Sequence, residues 1–299
     1  MTTWMDRCGD FLLDRALDAA RRRARLTPAS LRLSFGQIEY LQRLARQGKS
    51  PTAVVMLHGA AADKTSWLRL ARYLPQTLPL IAPDLPGHGA SVADLALDYG
   101  IRAQALRVEQ FLATLGVERV HLLGNSMGGA VALAVAAAFP RRVASLVLIG
   151  TAGAEATPSW LREHVCRSGV NPMIDVRDVA GYRTMLKIGM AAPPYVPGIV
   201  LRALTRRLIG RHAINRKIVA DISRDLDRTA DLSRIAAPTL ILWGAADRVQ
   251  HVDDAELLRR RLPDSRKLVL DGVGHVPMVE APRAVAAACS AFYADIARR

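Results

Sequence analysis

A serine flanked by glycines at two residues on either side can be made into a nucleophile, and Gly124-Asn125-Ser126-Met127-Gly128-Gly129 has that spacing. It follows the apolar run Val120-His121-Leu122-Leu123 and precedes an alanine-rich stretch with helical character. A strand that turns this sharply into a helix forces a strained backbone on the serine. It leaves no room for side chains at Gly124 and Gly128. The hydroxyl of Ser126 would stand at the carboxyl end of a sheet. The amide of Met127 would open the following helix, whose N-terminus favours developing negative charge. That chemistry is nucleophilic acyl transfer, and it requires a base, an acid to orient the base, and two donors for an oxyanion.

Histidines downstream of Ser126 are His164, His212, His251 and His275. In a strand–turn–helix architecture of this kind the order along the chain is serine, acid, histidine. His275 lies in the glycine-rich Asp271-Gly272-Val273-Gly274-His275-Val276-Pro277, after the last apolar run, and is the expected base. Asp247, in Trp243-Gly244-Ala245-Ala246-Asp247, directly follows the preceding run and is the expected acid; its competing reading is a helix cap. Asp271 is nearer to His275 in sequence but stands at the end of a strand-like run. The second oxyanion donor is expected at Ala60, after Leu57-His58-Gly59, beside the Met127 amide. His58 and His88 read as loop-fixing residues.

Elements able to position these groups alternate along much of the chain. A helix is expected from Trp4 to Leu26, ended by Pro28, then a hairpin of Leu31 to Phe35 and Ile38 to Leu44 turning at Gly36-Gln37. Gly48 to Pro51 reads as a turn. Strands are expected over Thr52 to Leu57, Leu78 to Ala82, Val120 to Leu123, Val143 to Ile149, Thr239 to Trp243 and Lys267 to Leu270. Helices fall between them, at Thr65 to Leu74, Gly100 to Leu115, Ala130 to Phe139, Asp253 to Leu262 and Pro282 to Ala297. This alternation implies a mostly parallel sheet with helices on both faces. Residues 151–235 have no strand-like run and read as a helical cap. The division expected is an N-terminal helix and hairpin at 1–50, a core at 51–150 and 236–299, and the cap between.

The formal net charge of +14 could mark nucleic acid or an anionic membrane. Few aromatic residues and no nucleic-acid motif argue against the former. From Arg183 to Lys217 the cap carries basic residues and no acid, interleaved with apolar ones. This reads either as an ordinary amphipathic cap or as a surface for peripheral contact with an anionic membrane, with Arg202, Arg206 and Arg207 as its contacts. Cys8, Cys166 and Cys289 are an odd number without metal-type spacing. No secretory signal or membrane-spanning stretch is evident, so a cytoplasmic location is expected. No metal or organic cofactor is called for.

Taken together, Leu57-His58-Gly59 with Asp63-Lys64 and Trp67, Ala82 to Gly89, Gly124 to Gly129, Leu242-Trp243-Gly244 to Asp247, and Gly274-His275 resemble the α/β-hydrolase superfamily. The pattern is most similar to the capped bacterial lipases of family V and to the monoacylglycerol lipases of animal membranes. The resemblance implies the α/β-hydrolase fold and cleavage of a small-molecule or lipid ester through an acyl-enzyme on Ser126, with Asp247 and His275. It fades across the cap, where acyl selectivity resides. Alternatives within the same fold are a carbon–carbon bond hydrolase, an acyltransferase or perhydrolase, and a ligand receptor that retains the triad. In two places the chain departs from the pattern. Ala60 stands where those lipases often have an aromatic residue, which should open the acyl pocket. The N-terminal segment is charged and too short to span a bilayer, where those lipases often begin with an anchor.

Overall fold

The computed structural model describes residues 4–44 and 52–298. The turn expected at Gly48 to Pro51 lies outside the described residues. Eight strands form one sheet: β1 (Thr27–Leu33), β2 (Gly36–Arg43), β3 (Ala53–Leu57), β4 (Leu80–Pro83), β5 (Val120–Asn125), β6 (Val143–Ile149), β7 (Thr239–Gly244) and β8 (Ser265–Leu270). Their spatial order is β1-β2-β4-β3-β5-β6-β7-β8. The β1–β2 hairpin is antiparallel and joins β4 in antiparallel sense, and from β4 to β8 every pairing is parallel.

Central strands β5, β6 and β7 are buried at every position, as befits strands covered on both faces. Alternate residues of β3 divide between two apolar layers. Val55 and Leu57 face α3 (Ile101–Thr114), α4 (Met127–Ala138) and α9 (Asp253–Arg261). Val54 and Met56 face α2 (Leu68–Ala71) and α11 (Pro282–Arg298), where Trp67, Leu70 and Phe292 pack. Between β6 and β7 come α5 (Trp160–Ser168), α6 (Val179–Gly189), α7 (Gly198–Gly210) and α8 (His212–Arg224). The N-terminal helix α1 (Trp4–Arg23) packs on α7. Its Asp6, Asp10 and Asp14, one turn apart, pair with Arg206 and Arg207 of α7.

Several boundaries differ from the sequence reading. Helix α1 stops at Arg23, and Arg25 takes a left-handed φ of 54° into the hairpin. Pro28 lies within β1 instead of after a helix; β1 is an edge strand, where a missing amide is tolerated. The hairpin register pairs Leu33 with Gly36, so the turn is Ser34-Phe35, and Gly36 opens β2 with φ +133°. The helix expected from Thr65 to Leu74 is a 3-10 turn, Lys64–Trp67, followed by the single turn of α2. Asp63 caps that 3-10 turn through the Thr65 amide, and Pro75 follows shortly. A short helix not foreseen, α10 (Pro277–Glu280), begins two residues beyond His275.

Candidate active site

Loops leaving the carboxyl ends of β3, β5, β7 and β8 carry Ala60, Ser126, Asp247 and His275 respectively. Parallel pairing puts those ends along one edge of the sheet, the edge where open α/β sheets bind ligands. The chemistry-bearing residues, scattered over more than two hundred positions, are gathered there by topology.

Ser126 sits between β5 and α4 with φ 54° and ψ −121°, a region that non-glycine residues rarely occupy. The strain is held by its surroundings. The Ser126 amide donates to the Ile149 carbonyl (3.1 Å), and its own carbonyl accepts from the Gly129, Ala130 and Ala152 amides. The glycines are required by proximity. A Cβ on Gly124 would lie 2.4 Å from the Gly128 carbonyl oxygen, and one on Gly128 would lie 2.0 Å from that of Leu57. Among the described residues the Ser126 hydroxyl makes no hydrogen bond.

Asp247 and His275 form a buried pair. Asp247 Oδ2 accepts from His275 Nδ1 at 2.8 Å, with side chains 0% and 6% exposed. The other carboxylate oxygen accepts from the Val249 and Gln250 amides (2.8 and 3.0 Å). A carboxylate fixed in this way sets the imidazole tautomer with the proton on Nδ1, and leaves Nε2 to handle a second proton. Asp271 is exposed. The remaining downstream histidines are occupied elsewhere: His164 stacks on Trp160, His212 meets Asp175 and His251 meets Asp253.

Asn125 joins the two halves of the site, a role the sequence did not suggest. Its Nδ2 donates both to the Ile149 carbonyl (2.9 Å) and to the His275 carbonyl (3.1 Å). The residue next to Ser126 thus grips the loop of His275.

The β3 loop is shaped by buried histidines. His58 Nε2 accepts from the Leu85 amide (3.0 Å), which leaves Nδ1 to donate to the Gly59 carbonyl (2.8 Å). Burial lowers the pKa of His58, and that of His88, edge-on to it at 4.8 Å, still further. Both are therefore neutral struts. Asp84 adds a second brace, accepting from the Lys64 and Ala90 amides (each 2.8 Å) and pairing with the Lys64 ammonium. These partners hold the backbone of Gly59 against Ser126, where a Cβ on Gly59 would come within 3.2 Å of the serine Cβ.

The chain is similar to known proteins over most of its length. The model of the alpha/beta hydrolase family matches positions 54–288. Lipase 3 of Moraxella sp. (strain TA144) is 32% identical over 244 residues, which is 80% of this chain and 76% of that protein. A monoacylglycerol lipase of Xenopus laevis is 30% identical over 274 residues, 88% of this chain and 81% of its own. Among solved structures, a membrane phospholipase A described as a bacterial virulence factor superposes with a TM-score of 0.93 at 35% identity. It covers 98% of this chain and 93% of that one.

Proposed function

The chain belongs to the alpha/beta hydrolase family, and from that premise we propose Ser126, His275 and Asp247 as its catalytic triad and the amides of Ala60 and Met127 as its oxyanion hole. It is a hydrolase of carboxylic esters, like the lipases it resembles over most of its length. The observation that carries the residue assignment is the buried Asp247–His275 pair, tied through Asn125 to the strained turn of Ser126.

In this reading His275 Nε2 removes the Ser126 proton as the hydroxyl oxygen attacks the ester carbonyl carbon. The carbonyl oxygen becomes negative and accepts from the Ala60 and Met127 amides. Neither amide is engaged by another main-chain group among the described residues, and the second belongs to the first turn of α4. The intermediate collapses, and His275 returns the proton to the departing alcohol. Water then repeats the sequence on the acyl-enzyme and releases the acid.

Initial rates on nitrophenyl esters from acetate to palmitate, with monoacylglycerols alongside, test the assignment. Ser126→Ala and His275→Ala should each lower kcat by ~10⁴-fold or more, and the double variant should be little worse, because the residues act as one unit. Asp247→Asn should fold normally and lose about 10⁴-fold, having lost the correct imidazole tautomer. Purified Ser126→Ala with near-normal turnover would refute the nucleophile. Loss in Asp271→Asn with a silent Asp247→Asn would move the acid.

Residues 151–235 serve in this proposal as a cap over a core of 51–150 and 236–299, with the 1–50 segment adding the hairpin and α1. The substrate class is a lipid ester, met at an anionic membrane surface. Support comes from α1, where Trp4 (70% exposed), Met5, Phe11 (63% exposed) and Leu12 line one outward face beside Arg7 and Arg15. Among the described residues no helix is long and apolar enough to cross a membrane. Contact of this kind would be interfacial. Free cysteines at Cys8, Cys166 and Cys289 fit the cytoplasmic side of such a surface.

A further inference from the structure

The loop of His275 is held from two directions. From the core, Asn125 donates to the His275 carbonyl. From the opposite side, the His275 amide donates to the Gly189 carbonyl at the end of α6 (2.9 Å). Gly274 lies so near the segment after α6 that a Cβ there would come within 2.9 Å of the Ala191 nitrogen and the Met190 Cα. Glu280, the last residue of α10, spans this junction. Its Oε1 accepts from the Gly274 amide at 2.8 Å, and its Oε2 accepts from the Ala192 amide at 3.0 Å. One side of the bridge is the residue preceding His275. The other is the segment joining α6 to α7.

A carboxylate suits this place because it offers two acceptors and no donor. Glutamine would turn an NH2 group toward one of the two amides. Asp247 and Glu280 therefore act on different parts of the same residue. Asp247 orients the imidazole ring, and Glu280 fixes the main chain from which that ring projects.

We infer that Glu280 is a positioning residue that fastens the His275 loop to the α6–α7 segment, so that the base is aligned only while that segment is seated. The inference rests on His275 being the base. A substrate that displaces or tightens the 190–192 segment then changes the proton-transfer step and not only binding. A shift of about 1 Å in a catalytic group can cost on the order of 10²-fold in rate.

Glu280→Ala should lower kcat on a short soluble ester by about 10-fold to 100-fold, with KM changed by less than about threefold. The rate is taken per active site, counted by labelling Ser126 to completion with a fluorophosphonate. A residue that only stabilised α10 would reduce the number of labelled sites and the Tm, and leave the rate per site unchanged. Glu280→Gln, keeping one acceptor, should fall between wild type and Glu280→Ala, and it carries the test if the alanine variant does not fold. In a His275→Ala background, Glu280→Ala should add no further loss. Normal kcat per site in both Glu280 variants, with His275→Ala inactive, would overturn the inference and leave the triad standing. An active His275→Ala would overturn the triad itself.

Discussion

Ala60 occupies a position where one side chain can separate acyl selectivity from catalysis. It is half-buried, packs on the core beside β3, and its amide is the proposed second oxyanion donor. Ala60→Phe keeps the amide and adds bulk beside Ser126. Hydrolysis of acetate esters should remain within about threefold of wild type, while octanoate and longer esters fall by about 10-fold or more, a loss of ~1.4 kcal/mol in transition-state binding. Rates across the same ester series measure this, and an equal loss at every chain length would mean that the loop had moved. The proposed triad of Ser126, Asp247 and His275 can be nominated from sequence because each residue carries a local sign: glycine spacing, a position just after a strand, or a glycine-rich loop. Asn125 and Glu280 carry none. Their partners are backbone groups at His275, Gly274 and Ala192, and a hydrogen bond to a distant main-chain atom leaves no pattern in side-chain types.

At the level of elements, Asp254 ties the first turn of α9 to the chain that leaves β6. It is 1% exposed and accepts from the Ala156 amide at 2.7 Å. Burial pushes its pKa up to about 6, outweighing the Ala156 and Thr157 amides that favour the ionised form. The unfolded carboxyl titrates near its ordinary value of 3.8. With the folded pKa raised, the stability contributed by this group is fully present below about pH 4 and is lost as pH rises through about 6. Asp254→Asn keeps an acceptor for Ala156 and has no charge to desolvate. Its Tm should therefore exceed that of wild type at pH 7.5 and converge with it near pH 4, as followed by calorimetry. A lower Tm at pH 7.5 with an unchanged pH slope would show that the two amides hold an ionised carboxylate. Strands β5 to β7 were legible as continuous apolar runs, because both faces are buried. The hairpin turn, α2 and α10 were not. Pro75 leaves little room for α2, the Gly36 conformation moves the turn by two residues, and a four-residue helix has no period to detect.

Across the whole molecule, the net charge of +14 matters through its distribution. The arginines of residues 183–217, which the sequence offers either as a solvated face or as a membrane contact, are partly spent within the fold. Arg206 and Arg207 are tied to Asp6, Asp10 and Asp14 across the α1–α7 contact, pairs that no local reading could find because nearly two hundred residues separate them. This pairing offsets Asp6, Asp10 and Asp14, and Asp18 is paired with Arg21 and Arg22, so Arg7 and Arg15 leave positive charge beside the face that exposes Trp4, Phe11 and Leu12. In the proposed membrane contact, this face would supply apolar side chains and net positive charge to an anionic bilayer interface. Each engaged arginine contributes ~1 kcal/mol at such a surface. Each large apolar side chain removed from water adds about 1.5–3 kcal/mol. Binding should thus depend on both terms. The protein should sediment with phosphatidylserine-containing vesicles and less with neutral ones, and the difference should shrink as salt rises. Trp4 fluorescence should be quenched by brominated lipid in the same vesicles. Phe11→Ser with Leu12→Ser should release the protein, whereas Arg202→Gln, on the exposed side of α7, should have a smaller effect. Rates on a short soluble ester should stay at the wild-type level in the Phe11→Ser, Leu12→Ser variant, since α1 lies outside the proposed triad. Sedimentation that ignores salt and lipid charge, or is absent altogether, would reduce the apolar face of α1 to a packing remnant and return the charge to a role in solubility.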